Sequence, residues 1–380
     1  MTTASDRPIP PVPDADADGS AVGALSPAAG ADVPTVESAA RADAPTVADL
    51  GNGVWTVPVP IPNNPLGCTL VYVLETDAGP VLVDAGWDDP VSYRALVDGL
   101  VEVGTSIEDV HGVLVTHAHP DHHGLSEKVR EVSGAWIALH AADAQQVEQI
   151  NAAPRAAWLR HHLEVLTLAG APQEAIDALT ALRTRSANDG ARPRLRYAVP
   201  DRELVHGELA PAPGRAVRTV WTPGHTPGHV CLHLEDGDGR LLSGDHLLPS
   251  ITPHIGLYDD AEEADPLGDF LASLTRVARL PITGVLPAHE HVFTDAAGRA
   301  AEVARLHEVR LAALHARLRE RSLTLWQIAE GMDWNRPWAR LGAQNRQLAL
   351  SEAAAHLRHL VKRGRAAAEA QGDPVRYTAL

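Results

Sequence analysis

The segment Thr116-His117-Ala118-His119-Pro120-Asp121-His122-His123-Gly124 constrains this chain more than any other stretch of it. It follows Gly112-Val113-Leu114-Val115, an apolar β-branched run that reads as a strand. Pro120 disfavours helix through the residues before it, so the segment leaves the strand as a loop. Imidazoles at His117, His119 and His122 and a carboxylate at Asp121 are costly as core filling. Neutral nitrogen and carboxylate oxygen are the donors that zinc and similar ions take when thiolate is absent. So short a run cannot turn every donor onto one ion, whereas two adjacent ions sharing the loop relax that strain.

Further donors recur at other strand ends. Asp84 follows Pro80-Val81-Leu82-Val83, and His225 sits in the Gly/Pro-punctuated turn Thr222-Pro223-Gly224-His225-Thr226-Pro227-Gly228-His229. Asp245 follows Leu241-Leu242-Ser243-Gly244, and His289 follows Leu286-Pro287-Ala288. Between these points, short strands (53–58, 69–74, 80–84, 112–116, 135–139, 216–220, 229–234, 240–243) alternate with helical stretches, which predicts a mixed α/β fold. Gly79 predicts a hairpin between two of them.

Residues 141–185 look helical (141–150, 156–169, 173–182), so a helical insertion near 141–190 interrupts the strand-rich part. Such an insertion is expected to lie over a site as a lid or lining, with Trp158, Leu159, Leu163, Val165 and Leu166 suited to an acyl chain. Residues 1–45, rich in alanine, proline and aspartate without periodicity, read as a disordered tail. The catalytic part is expected over 46–300. From 301 to 380 a helix with Leu311, Leu314 and Leu318, a second capped by Thr324, a third capped by Ser351 with an Ala354/Leu357/Leu360/Val361 stripe, and a final hairpin outline a winged helix.

The formal charge of -17 is uneven: residues 1–45 carry a net -5, 303–380 a net +6, and 46–302 therefore -18. An acidic catalytic region repels phosphate backbones, which disfavours nucleic acid as partner, although bound cations reverse a field locally. Cys68 and Cys231 make no disulfide framework, and the chain offers neither a signal-peptide run nor a membrane span. A cytoplasmic protein without a membrane partner is expected.

These segments resemble the metallo-β-lactamase superfamily, whose pattern is a His-x-His-x-Asp-His run followed by His, Asp and His at later strand ends. The resemblance spans about residues 50–295 and implies a four-layer αββα sandwich with metals at one edge. It implies one ion held by His117, His119 and His225, a second held by Asp121, His122 and His289, and Asp245 bridging them. Asp84 would orient the ligand loop rather than touch metal; His229, four residues after His225, is expected to be a hydrogen bonder behind the ligands or a core member. His246 and His254 are candidates to contact substrate; His123 is expected to face helix or solvent. The full ligand set separates the chain from single-iron relatives, and no flavodoxin domain is recognisable.

The implied cofactors are two divalent ions, zinc by default, with iron or manganese accepting the same donors. The implied chemistry is hydrolysis by a metal-bridging hydroxide, with Asp121 orienting the nucleophile and no serine or cysteine required. A small ester, thioester or lactone is the expected substrate, and a homodimer is compatible with the chain. The alternative is a phosphodiesterase cleaving RNA, as in a branch of the superfamily that carries a similar C-terminal domain. A metabolite-sensing regulator rests only on the winged-helix outline.

Overall fold

The strand-end residues are carried by two sheets packed face to face. The computed structural model describes residues 45–153, 155–188, 196–237, 239–257, 261, 263–369 and 373–380, without the side chains of 155–159 and 182–188. The tail expected over 1–45 lies outside them up to Ala44, and Pro45–Leu380 form one unit.

Strands β1 (Ala48–Asp49), β2 (Val54–Pro60), β3 (Cys68–Leu74) and β4 (Val81–Val83) pair antiparallel in succession. Parallel pairing continues through β5 (Gly112–Leu114), β6 (Trp136–Leu139) and β7 (Arg202–Glu203), so the first sheet runs in chain order. β4, β5 and β6 are short and wholly buried, as parallel strands covered on both faces must be. The second sheet, of β8 (Val217–Trp221), β9 (Val230–Leu234), β10 (Leu241–Gly244) and β11 (Val285–Pro287), has the order β11-β10-β9-β8. Val54, Tyr72, Leu74 and Leu114 of the first sheet interdigitate with Val217, Leu232, Leu242 and Leu286 of the second.

Helices cover both outer faces. Helix α1 (Pro90–Val103) starts with the Asp89 side chain accepting from Val91 N and ends at left-handed Gly104; its Leu96 and Leu100 are buried against Val57 and Val71. The one-turn α2 (Pro120–His123) and α3 (Ser126–Ser133) precede β6. Three helices, α4 (Ala141–Ala152), α5 (Arg155–Leu168) and α6 (Gln173–Asn188), form the expected insertion. On the other face lies α7 (Pro266–Val277), which the sequence reading did not anticipate although Asp265 caps it and Leu267, Phe270, Leu274 and Val277 share one buried stripe. This is the four-layer αββα sandwich.

The C-terminal region runs α8 (Ala296–Glu320), β12 (Leu323–Thr324), α9 (Leu325–Glu330), α10 (Ala343–Lys362), β13 (Ala366–Ala368) and β14 (Arg376–Ala379), with its own sheet in the order β12-β14-β13. Thr324 caps α9 as expected, in a reciprocal box with Gln327. Ser351 does not cap α10. That helix begins after Gly342, and Ser351 lies inside it with its hydroxyl donating to Leu348 O. The buried stripe is accordingly Leu350, Ala353, Leu357 and Leu360, with Val361 exposed. Helix α8 runs across position 300, where a boundary was expected.

One apolar cluster joins α7, α8 and α10 to the insertion: Leu166, Ala169 and Leu179 are buried with Phe270, Leu311, Trp326 and Leu357. Leu163 and Val165, partly buried, pack against the same cluster, so these side chains contribute to the core. The cavity bounded by Leu166, Leu179, Trp326 and Arg346 is only about 40 Å³, roughly room for a water. Trp158 and Leu159 lie outside the described side chains. Among the described residues no helix is long and apolar enough to cross a membrane.

Candidate metal centre

The strand ends bring the predicted donors together. After β5 the chain places His117 and His119, and the turn of α2 adds Asp121 and His122. The loop before β9 supplies His225, the end of β10 supplies Asp245, and the end of β11 supplies His289. His117, His119, His225 and Asp245 have ligand atoms within 4.8 Å of one another, as do Asp121, His122 and His289.

Asp245 faces both groups with different oxygens. Its Oδ2 lies 3.3 Å from His225 Nε2 and 4.0 Å from His117 Nε2. Its Oδ1 lies 3.2 Å from His289 Nε2 and 3.4 Å from His122 Nε2. Asp121 Oδ2 completes the second group, 3.5 Å from His289 Nε2 and 3.8 Å from His122 Nε2.

The far nitrogens of His117, His122, His225 and His289 are held from behind, which sets their tautomers. His225 Nδ1 donates to His254 O (2.7 Å), His289 Nδ1 to Cys68 O (2.8 Å) and His122 Nδ1 to Asp84 Oδ2 (2.8 Å). His117 Nδ1 lies 3.1 Å from the Thr116 hydroxyl, whose own proton is directed at Asp84. The nitrogens left facing inward therefore carry lone pairs. Those of His122, His225 and His289, with Asp245 Oδ1, are buried and make no hydrogen bond. Burying four acceptors against one another without a proton or cation between them is strongly unfavourable, so the donor set fits divalent ions.

The electrostatics divide the centre. Burial, reinforced by the neighbouring imidazoles, pushes His117 well below the ordinary imidazole range and His119 down to about 3. Around His289, burial is outweighed by Asp245 and Asp121, which raise it to about 10; Asp245, Asp84 and Asp121 raise His122 in the same way. His117 and His119 are thus set as neutral nitrogen donors, whereas His122 and His289, beside carboxylates, are set for positive charge.

Asp84 does not reach the inward atoms. From a left-handed backbone (φ 62°) it accepts from Thr116 N (2.8 Å) as well as from His122. His229 bonds Thr222 Oγ1 through Nδ1 (2.8 Å) and accepts from Asp245 N through Nε2 (3.1 Å), so it aims the Asp245 backbone. His246 turns inward: it has no exposed surface, and its ring meets Phe270 edge-on at 5.2 Å. The His254 side chain is engaged by Glu352 and Ser351 (3.2 Å each). His123 is fully buried rather than facing solvent, bonded to Ser126 Oγ and Ala198 O and stacked on Tyr197.

Asp143 was not foreseen. Fully buried at the start of α4, it accepts from Ala118 N (2.8 Å), Thr226 Oγ1 (2.8 Å) and Gly228 N (2.6 Å). It thereby ties the His117–His119 loop to the His225 loop. Gly228 permits the approach, since a Cβ there would meet Asp143 N at 2.5 Å. A carboxylate in the first turn of a helix carries no sequence mark that separates this role from an exposed one.

The chain matches the Metallo-beta-lactamase superfamily over residues 66–289. It is 29% identical over 238 residues to the probable metallo-hydrolase YqjP of Bacillus subtilis (strain 168), covering 60% of this chain and 69% of that one. Among solved structures, the metallo-beta-lactamase family protein TTHA1429 of Thermus thermophilus superposes with a TM-score of 0.70 at 31% identity, over 87% of this chain and 100% of that one. A beta-lactamase domain protein from Burkholderia ambifaria gives 0.74 at 28% identity, over 88% and 94%. Both superpositions cover more of this chain than residues 66–289 do. The strand-end donors, the αββα layers and these likenesses agree: the chain belongs to the metallo-β-lactamase superfamily of metal-dependent hydrolases.

Proposed function

We propose that the protein hydrolyses a small carboxylic-acid derivative, an ester, thioester or lactone, with two divalent ions, zinc by donor preference. The observation that carries this reading is the Asp245 carboxylate turning one oxygen to each donor group. His117, His119 and His225 would hold one ion, and Asp121, His122 and His289 the other. Such ions supply a Lewis acid for the substrate oxygen and a water acidic enough to attack at neutral pH.

The chain's own residues supply orientation. Asp84, Thr116 and the carbonyls of Cys68 and His254 fix the ring tautomers. Burial raises the Asp121 pKa, but His122 and His289 outweigh it and hold the carboxyl below its usual range. Asp121 is therefore an acceptor at neutral pH, and the carboxylate oxygen not turned to His122 and His289 can align a water. The buried, hydrogen-bonded ligands keep this geometry in place before substrate arrives.

The net charge of -18 over 46–302 favours a small substrate over a polyanion. Some C-terminal arginines are engaged within the chain: Arg358 donates to Ala261 O and Arg363 to Glu308 at the surface, and Arg365 to half-buried His315. The order helix-strand-helix-helix-hairpin over residues 301–380 is compatible with a winged-helix-like unit, which we read as structural rather than nucleic-acid-binding. Metal analysis, thiol release from simple thioesters and gel assays of RNA cleavage test the reading together. It requires two ions per chain and thioester or ester turnover, both lost in Asp245→Asn. RNA cleavage without ester turnover, or full activity with one ion, overturns it.

A further inference from the structure

His225 owes its aim to a residue that is itself held from the C-terminal region. The His254 carbonyl that accepts from His225 Nδ1 at 2.7 Å lies in the loop that leaves Asp245. Among its described residues that loop makes no strand of its own, and side chains reach into it from elsewhere. Arg299 of α8 is buried and donates to Leu248 O and Ile251 O (2.8 Å each). Glu290 accepts from Ser250 N (2.9 Å). Ile255 is buried in the cluster shared with α8 and α10.

At His254 the hold comes from both long C-terminal helices. Its Nδ1 lies 3.2 Å from Glu352 Oε2 and its Nε2 3.2 Å from Ser351 Oγ. Leu257 N donates to Ser351 O at 3.0 Å, a main-chain tie to α10. The other oxygen of Glu352 accepts from Arg310 Nη1 of α8 at 3.0 Å. Glu352 thus links a guanidinium on one helix to the imidazole of His254 on the metal loop, with only 12% of its side chain exposed. A charge-assisted pair so enclosed has little freedom to rearrange.

The geometry points to Glu352, braced by Arg310, as a positioning residue for the metal ligand His225, acting through the His254 main chain. The C-terminal helices are then part of the metal site's scaffold and not an appended module. This rests on the assignment of His225 as a ligand. Loss of the Glu352 carboxylate leaves the His254 side chain with the Ser351 contact and without its charged anchor, which loosens its carbonyl and with it the hold on His225 Nδ1. Residues that orient metal ligands by direct contact are worth about 10–100-fold in affinity, so Glu352, one contact further out, is expected at roughly tenfold.

The test compares full-length wild type, Glu352→Ala, Glu352→Gln, His254→Ala and His225→Ala. Zinc affinity is read by competition with a chromophoric chelator, and ligand geometry by the visible spectrum of the cobalt(II)-loaded protein. Glu352→Ala is expected to weaken the tighter or the weaker zinc step by roughly tenfold and to alter the cobalt bands. Glu352→Gln, which keeps an acceptor for His254, restores part of both. If Glu352→Ala does not fold, His254→Ala, which keeps the carbonyl but drops its anchor, is expected to show the same changes. Wild-type affinity and spectrum in whichever of these two folds, alongside loss in His225→Ala, overturns the positioning role and leaves the metal centre standing. Wild-type affinity in His225→Ala overturns the ligand assignment itself.

Discussion

Asp143 offers the sharpest test of how the metal loops are built. It receives three donors: Ala118 N and Thr226 Oγ1 on Oδ2, and Gly228 N on Oδ1. Replacement by asparagine keeps shape and volume but leaves one acceptor atom. With the amide oxygen toward Ala118, the NH2 faces Gly228 N; with the amide reversed, it faces Ala118 N. Either way two N–H groups oppose each other in a site with no access to water. Gly228 lies so close that the loops cannot separate without disturbing α4. A hydrogen bond to a charged group contributes about 1.5–3 kcal/mol, and an unsatisfied buried donor costs about 1–3 kcal/mol. Asp143→Asn should therefore destabilise the metal-free protein by about 2–4 kcal/mol. Urea unfolding measures this, with the slope against denaturant unchanged if the native state stays compact. The reasoning fails if the variant lies within about 0.5 kcal/mol of wild type, the range of an ordinary surface change.

Two further outcomes are expected. Burial raises the Glu352 pKa, yet the His254 and Arg310 contacts outweigh it and depress it to about 2, so ionised Glu352 stabilises the fold above the ordinary carboxylate pKa and that stability is lost as pH falls toward 2. Glu352→Gln should flatten the acid limb of the metal-free stability curve between about pH 4.5 and 2, and an unchanged limb in the variant would contradict this. Leu179→Ala, in the core shared by the insertion and the C-terminal helices, should cost about 2–5 kcal/mol without changing zinc affinity; a cost below about 1 kcal/mol would mean that α6 is not docked there.

The candidate metal donors are legible in the sequence because each announces itself locally. His117, His119, Asp121 and His122 crowd one loop, and His225, Asp245 and His289 each follow an apolar strand into a turn. The αββα class was legible for the same reason, since strand and helix periodicity are short-range signals. Helix α7 was equally open to reading, its cap at Asp265 and its Leu267/Phe270/Leu274/Val277 stripe being local marks. Misreading Ser351 as a cap had the opposite cause: serine is ambiguous, and only the run from Ala343 shows it to be mid-helix.

What chain order alone determined is which atoms can bind metal and that they lie at strand ends. What tertiary structure decided is how they are aimed. Asp143 meets Gly228 across 85 positions, and Glu352 meets His254 across 98, at separations where local pattern carries no information. His254 acts on His225 through its carbonyl, a group that every residue possesses and no side-chain pattern can mark. The insertion's apolar residues were visible as apolar, but whether they faced a substrate or a core depended on α8, α9 and α10 folding against them. Burial is a property of the neighbours a side chain acquires, and those neighbours exist only once distant segments have met.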